Sequence, residues 1–190
     1  MSGAGRRGPR KRNAEERGGG PPRLNMTLSE LNEQDRDAFV EAIGSTFEQS
    51  PWVAERAWEK RPFATVDALH DAMMAVVATA SADEQLTLLR AHPDLGARAE
   101  MSDASQREQA GAGLDALTRD ELQRLHALNR AYRDKFGFPF LYAVKGSTRH
   151  DILNALERRL SSPRDAEHQE ALRQVYRIAR FRLEDTVRQP

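Results

Sequence analysis

Three stretches of this sequence carry residue types that can do chemistry at points where a helical pattern stops. The first is Ala91-His92-Pro93-Asp94-Leu95-Gly96. Proline biases the preceding residue away from helical geometry, so His92 sits at a helix exit where its imidazole can lean into a cleft. Carbonyl ends of a helix also favour the protonated ring, which suits an acid working near neutral pH. A plainer reading stays open on position alone: His-Pro terminates the helix and the ring caps its last carbonyls. His70, His126, His150 and His168 fall inside helical patterns or at a helix start and offer no comparable reason for selection.

The second stretch is Ser105-Gln106-Arg107-Glu108-Gln109. Ser105 and Glu108 share one helical edge and could hold a polar heterocycle, with the Ser105 hydroxyl and Gln109 amide as adaptable partners and Glu108 accepting ring N–H groups. Ser-x-x-Glu is also a capping box, a device used again at Ser81 and, with threonine, at Thr118, so a plain helix start stands beside the binding reading. The third stretch, Phe136 through Gly146, interrupts the helical pattern. Three phenylalanines around Gly137 and Pro139 can form an apolar wall, while extended backbone leaves N–H and C=O groups for an amide-rich ligand. A buried linker whose aromatics fill the core is the alternative. No His-x-x-x-His or Glu-x-x-His pair has a matching second half, so no metal site is expected. There is no Gly-x-x-x-x-Gly-Lys phosphate loop and no strand-turn-helix setting for a nucleophilic serine.

Helices must position these groups. From Leu28 onward apolar residues recur three and four apart and nothing alternates for long at period two, which predicts an all-α domain. Asn32 is a candidate cap for a first helix carrying Phe39, Val40, Ile43 and Phe47. Ser50-Pro51 opens a short helix with Trp52 and Trp58 that Arg61-Pro62 ends, and Thr65 opens another bearing Leu69, Met73, Val76 and Val77. The boxes at Ser81 and Thr118 lead, respectively, through Leu86, Leu88 and Leu89 into His92 and through Leu122, Leu125, Leu128 and Tyr132 to a left-handed stop at Gly137. Thr148 starts the next helix, and Ser162-Pro163 the last, with Leu172, Val175, Ile178, Ala179 and Leu183 turned to the core. The sum is a single-domain bundle of about eight helices over residues 26–190.

Lys and Arg total 29 and Asp and Glu total 29 in 190 residues, so charge balance gives no reason to expect a polyanionic partner. Residues 1–25 differ, with Arg6, Arg7, Arg10, Lys11, Arg12, Arg17 and Arg23 against Glu15 and Glu16. Their glycines, prolines and scarce apolar side chains predict a disordered basic tail, and nucleic acid is not expected as its partner. Met26 could equally be the start of translation. The absence of cysteine excludes disulfides, thiolate metal sites and a cysteine nucleophile, and fits a reducing compartment. No apolar run approaches the roughly 20 residues of a membrane span, and no export or peroxisomal signal is evident, so a cytoplasmic setting is expected.

Taken in order, these segments resemble one family, the 2-oxo-4-hydroxy-4-carboxy-5-ureidoimidazoline (OHCU) decarboxylases of urate degradation. The likeness runs through Phe47-Glu48-Gln49-Ser50-Pro51-Trp52, Arg61-Pro62-Phe63, His92-Pro93-Asp94-Leu95, Ser105 to Gln109, Leu128-Asn129 with Tyr132, Phe136-Gly137-Phe138-Pro139-Phe140 and Arg182-Leu183. It implies an all-helical, cofactor-free enzyme, usually a homodimer, that converts OHCU to (S)-allantoin and carbon dioxide. Under that resemblance His92 would be the catalytic acid/base, with Glu108 as its catalytic companion. Pro93, Ser105, Gln106, Arg107, Glu108 and Gln109 would line the substrate. Phe140, Leu141, Tyr142, Ala143 and Val144 would offer backbone groups to its ring and ureido amides, and Arg182 would meet its carboxylate or an oxygen. The alternatives are a hydrolase of a related ureido compound, which would release ammonia instead of carbon dioxide, and a non-catalytic helical interaction module.

Overall fold

The computed structural model describes residues 26–97 and 103–189, without the side chains of residues 103–105. The expected disorder of residues 1–25 lies outside the described residues. Within them the chain forms nine α-helices: α1 (Leu28–Glu33), α2 (Arg36–Ile43), α3 (Trp52–Trp58), α4 (Val66–Ala78), α5 (Ala82–Arg90), α6 (Asp103–Gly111), α7 (Arg119–Phe136), α8 (Arg149–Arg159) and α9 (Arg164–Thr186). Short 3-10 turns at Gly44–Thr46 and Leu114–Ala116 bridge two of the connections. The all-α expectation holds, with one addition. Two-residue strands β1 (Met26–Thr27) and β2 (Val187–Arg188) pair in parallel, Met26 opposite Val187 and Thr27 opposite Arg188.

Local cap chemistry sets most helix starts. Capping boxes form at Ser81 with Glu84, Thr118 with Glu121 and Thr148 with Asp151, and Thr65 accepts the Ala68 N–H. Gly137 closes α7 at φ 83°. The first helix is where expectation fails. Thr27 caps α1 in a box with Glu30, and Asp35 caps a separate α2 by accepting the Ala38 N–H. Asn32 caps nothing; its amide donates to the Phe63 carbonyl and accepts the Phe63 N–H, both at 2.8 Å, tying together segments 31 residues apart. Helices α3 and α9 begin one residue later than expected, with Pro51 and Pro163 themselves as the flanking residues.

One core runs through the bundle, with Phe39, Ile43, Leu69, Met73, Leu88, Leu125, Tyr132, Leu172 and Leu183 among its buried members. The 23-residue α9 runs through it and packs against α2, α4, α5 and α7. The Arg61-Pro62-Phe63 motif serves this frame. The Arg61 guanidinium donates to the carbonyls of Asn32 and Gln34, each at 2.7 Å, and lies 4.1 Å over the Trp58 ring, which fastens the α1–α2 turn to α3.

Candidate active site

His92 follows the end of α5, and three side chains pin the loop that it opens. Asn129 of α7 donates to the Leu95 carbonyl at 2.8 Å, Gln109 of α6 accepts the Gly96 N–H at 2.9 Å, and Arg133 meets the Asp94 carboxylate at 2.8 Å. Gly96 sits at φ 83°, and a Cβ there would lie 2.9 Å from Leu125 Cδ2, so only glycine fits this turn. The imidazole is 6% exposed and its Nδ1 lies 3.0 Å from the Leu88 carbonyl oxygen. A carbonyl only accepts, so Nδ1 carries the proton and Nε2 presents a lone pair. Nε2 is buried with no hydrogen-bond partner among the described residues.

Burial pushes the His92 pKa down to about 4, the Leu88 carbonyl pulls it back up, the Arg182 charge lowers it further and Glu48 opposes that. With its pKa held at about 4 the ring is neutral at neutral pH. Desolvation of the charged form outweighs the helix-end carbonyls that argued for it. The capping reading describes one ring nitrogen and leaves the other available for chemistry.

Arg182, 8% exposed near the end of α9, faces two carboxylates. Its Nε and one terminal nitrogen donate to the two Glu108 oxygens at 2.9 and 3.2 Å, and the other terminal nitrogen donates to Glu48 at 3.0 Å. Burial disfavours its charge, but these carboxylates more than offset that and raise its pKa above the usual value. Glu48 is a member of this site that residue-by-residue reasoning passes over. Its signal was a lone acid inside Phe47-Glu48-Gln49-Ser50-Pro51-Trp52, between a buried phenylalanine and a helix start.

Helix α6 begins at Asp103, which puts Ser105 inside the first turn and not ahead of it, so Ser105 is not the helix cap. Its side chain lies outside the described residues. Glu108 and the buried Gln109 line the cleft, whereas Gln106 and Arg107 lie on the exposed face of the helix and do not. From Phe138 to Val144 the backbone is neither helix nor strand. Phe136, Phe138 and Phe140 surround Tyr132 at ring distances of 4.6, 6.0 and 5.3 Å, so the aromatics do fill the core, and Phe140 reaches the cleft as well. The expectation that every residue from Phe140 to Val144 offers backbone to a ligand is narrowed. The Leu141 carbonyl accepts from Arg159 at 2.7 Å, the Ala143 N–H donates to Gln174 at 2.9 Å, and the Val144 carbonyl accepts from the Ser147 N–H.

These elements enclose one cleft with about 360 Å³ of empty space, its open mouth included. The loop after α5 contributes His92, Pro93 and Leu95; the stretch before α8 contributes Phe140, Leu141, Tyr142 and Val144; and α9 contributes Ile178 with Arg182. Leu95 and Ile178 were not expected at the site, since each reads as ordinary core. The cleft thus sets a neutral imidazole lone pair, a guanidinium–carboxylate pair and backbone amides around one small volume. Among the described residues no group of three or more His, Asp or Glu could hold a metal ion, and no helix is long and apolar enough to cross a membrane.

Comparison with known proteins bears on what this arrangement serves. Residues 32–184 match the family model described as OHCU decarboxylase. The chain is 49% identical over 160 residues to a 2-oxo-4-hydroxy-4-carboxy-5-ureidoimidazoline decarboxylase of Halalkalicoccus jeotgali, covering 84% of this chain and 91% of that protein. It is 50% identical over 158 residues to the protein of the same name from Haloferax volcanii, covering 83% and 94%. A solved structure described as (S)-allantoin synthase superposes with a TM-score of 0.71 at 34% identity, covering 85% of this chain and 54% of that one. With residues 32–184 matched to its model, this chain belongs to the OHCU decarboxylase family.

Proposed function

We propose that this chain converts OHCU to (S)-allantoin and carbon dioxide in urate degradation, with His92 as the proton-transferring group. The observation that carries the proposal is the buried Nε2 of a neutral His92, without a partner among the described residues, at a cleft that also holds Glu108, Arg182 and backbone of the Phe140–Val144 stretch. Loss of carbon dioxide breaks the bond between a ring carbon and its carboxylate, and the electron pair moves into the adjacent C=N group of the substrate. That sink is built into the substrate, so the chemistry requires no cofactor to hold the electrons. Nε2 accepts the proton of the neighbouring hydroxyl, whose carbon becomes a carbonyl. The imidazolium returns that proton to the adjacent ring carbon, and water supplies the proton taken up by the ring nitrogen. Delivery from one face gives one enantiomer.

Glu108 has lone pairs beyond those used by Arg182 and accepts a ring N–H, while Arg182 supplies positive charge for the substrate carboxylate. Pro93 and Gln109 border the ring, and Ser105 completes the α6 contribution. The family resemblance extends the proposal to a homodimer, which light scattering on the purified protein checks, and the lack of cysteine to a cytoplasmic setting.

The test generates OHCU from urate enzymatically and follows circular dichroism with and without this protein. Accelerated appearance of (S)-allantoin and carbon dioxide is expected. His92→Ala should lower kcat by about 10²- to 10⁴-fold with the fold intact. Release of ammonia or urea without (S)-allantoin would instead identify a ureido hydrolase, and wild-type rates in His92→Ala would remove the histidine from the mechanism.

A further inference from the structure

Two buried side chains grip the backbone on either side of Tyr142. Arg159 of α8 donates to the Leu141 carbonyl at 2.7 Å and to Glu167 at 2.7 Å, and its guanidinium lies 4.7 Å over the Phe140 ring. Glu167, 1% exposed, also accepts from the Tyr132 hydroxyl. Gln174 of α9 accepts the Ala143 N–H at 2.9 Å through its amide oxygen and donates its amide nitrogen to Glu170 at 2.7 Å. The Glu170 carboxylate also receives the Arg173 guanidinium at 2.7 Å, so it acts as acceptor toward Gln174 and the amide has a single orientation with its oxygen toward Ala143.

A trans peptide is planar, with its C=O and N–H pointing in opposite directions. Anchoring the Leu141 carbonyl therefore aims the Tyr142 N–H away from Arg159. Anchoring the Ala143 N–H aims the Tyr142 carbonyl away from Gln174. Tyr142 lines the cleft, and its N–H and C=O each point away from the side chain that anchors the other end of the same peptide. Such a pair complements the N–H and C=O edge of a cyclic amide. Gln174, Ile178 and Arg182 are spaced four apart, so one face of α9 sets this backbone and also carries the guanidinium of the site.

We infer that Arg159 and Gln174 are positioning residues that fix the two peptide planes flanking Tyr142, whose backbone N–H and C=O then read an amide edge of the substrate ring. This rests on the proposed OHCU reaction. The test is Gln174→Met, which keeps length but loses the acceptor. It should raise KM about tenfold and leave kcat within about threefold, because a backbone contact made equally to substrate and transition state is uniform binding. A merely structural glutamine predicts a lower melting temperature without that split.

Should Gln174→Met fail to fold, Arg159→Lys takes its place. It keeps a charge against Glu167 but lacks the fork that spans Glu167 and Leu141, and the same KM-led loss is expected. An unmoved KM in the folded variant overturns the positioning role while active wild-type protein leaves the functional reading standing. Inactive wild-type protein refutes that reading and this inference with it.

Discussion

Lowering the pH from about 7.5 to about 5.5 separates a buried neutral His92 from an ordinary histidine base. A histidine with the usual pKa of about 6.5 would be roughly 9% neutral at the lower pH, whereas one at about 4 stays roughly 97% neutral. The enzyme should therefore hold nearly all of its kcat/KM over a range in which an ordinary base loses about tenfold. The assay adds freshly prepared OHCU, subtracts the spontaneous rate and follows (S)-allantoin by circular dichroism at constant ionic strength. Because kcat/KM reports ionisations of the free enzyme, it addresses the ring as the structure holds it. A midpoint near pH 6.5 would refute the burial argument, and activity rising toward acid would mean that the imidazolium is the working form. Stability follows with a definite sign. The unfolded ring binds its proton first as pH falls, so stability is greatest above pH 6.5 and is lost between there and about pH 4. At about pH 5 the wild-type protein should have lost about 2 kcal/mol more than His92→Asn relative to neutral pH, read by urea unfolding of both.

Two further substitutions test the frame around the site. Gly137→Ala forces a side chain into φ 83° while its Cβ meets nothing closer than 3.5 Å, so the cost is conformational and amounts to about 1 kcal/mol, or roughly 2–4 °C in Tm. An unchanged Tm would deny the left-handed stop of α7. Thr118→Ala removes the side-chain acceptor for the Glu121 N–H and should cost about 1 kcal/mol in urea unfolding with kcat unchanged; no loss would mean that the box contributes nothing to α7.

What could be read from sequence was mostly local. Ser81, Thr118, Thr148 and Gly137 behave as expected because each acts on backbone within three or four residues of itself. Asn32 was misread because an asparagine that caps a helix and one that bridges to Phe63 look alike until the distant chain is in place. Glu48 is harder still, since a lone acid reads as a solvated charge and its explanation is Arg182, 134 residues away. His92 could be located at a helix exit, but its protonation depends on how deeply the fold buries it. The two-residue β1–β2 ladder is too short to leave any alternation. On α6, helical phase decides the outcome: once Glu108 and Gln109 face the cleft, Gln106 and Arg107 are turned outward. The family resemblance, in contrast, drew on segments spread along the whole domain, and for that reason it gathered Arg182 with His92 where local reasoning could not.

The pairing of Met26–Thr27 with Val187–Arg188 makes the described fold nearly a closed ring. Its first and last elements meet as backbone neighbours, so a short glycine-serine bridge between them would cross no helix. New ends could then open at the exposed Ser161 and Pro163 between α8 and α9. Such a circular permutant would carry α9, with Gln174 and Arg182, ahead of the segments that supply Glu48, His92 and Glu108. The order in which the cleft's contributors leave the ribosome would be reversed while their neighbours in space stayed the same. An active permutant would show that this site assembles from the closed contact pattern, whichever helix is made first.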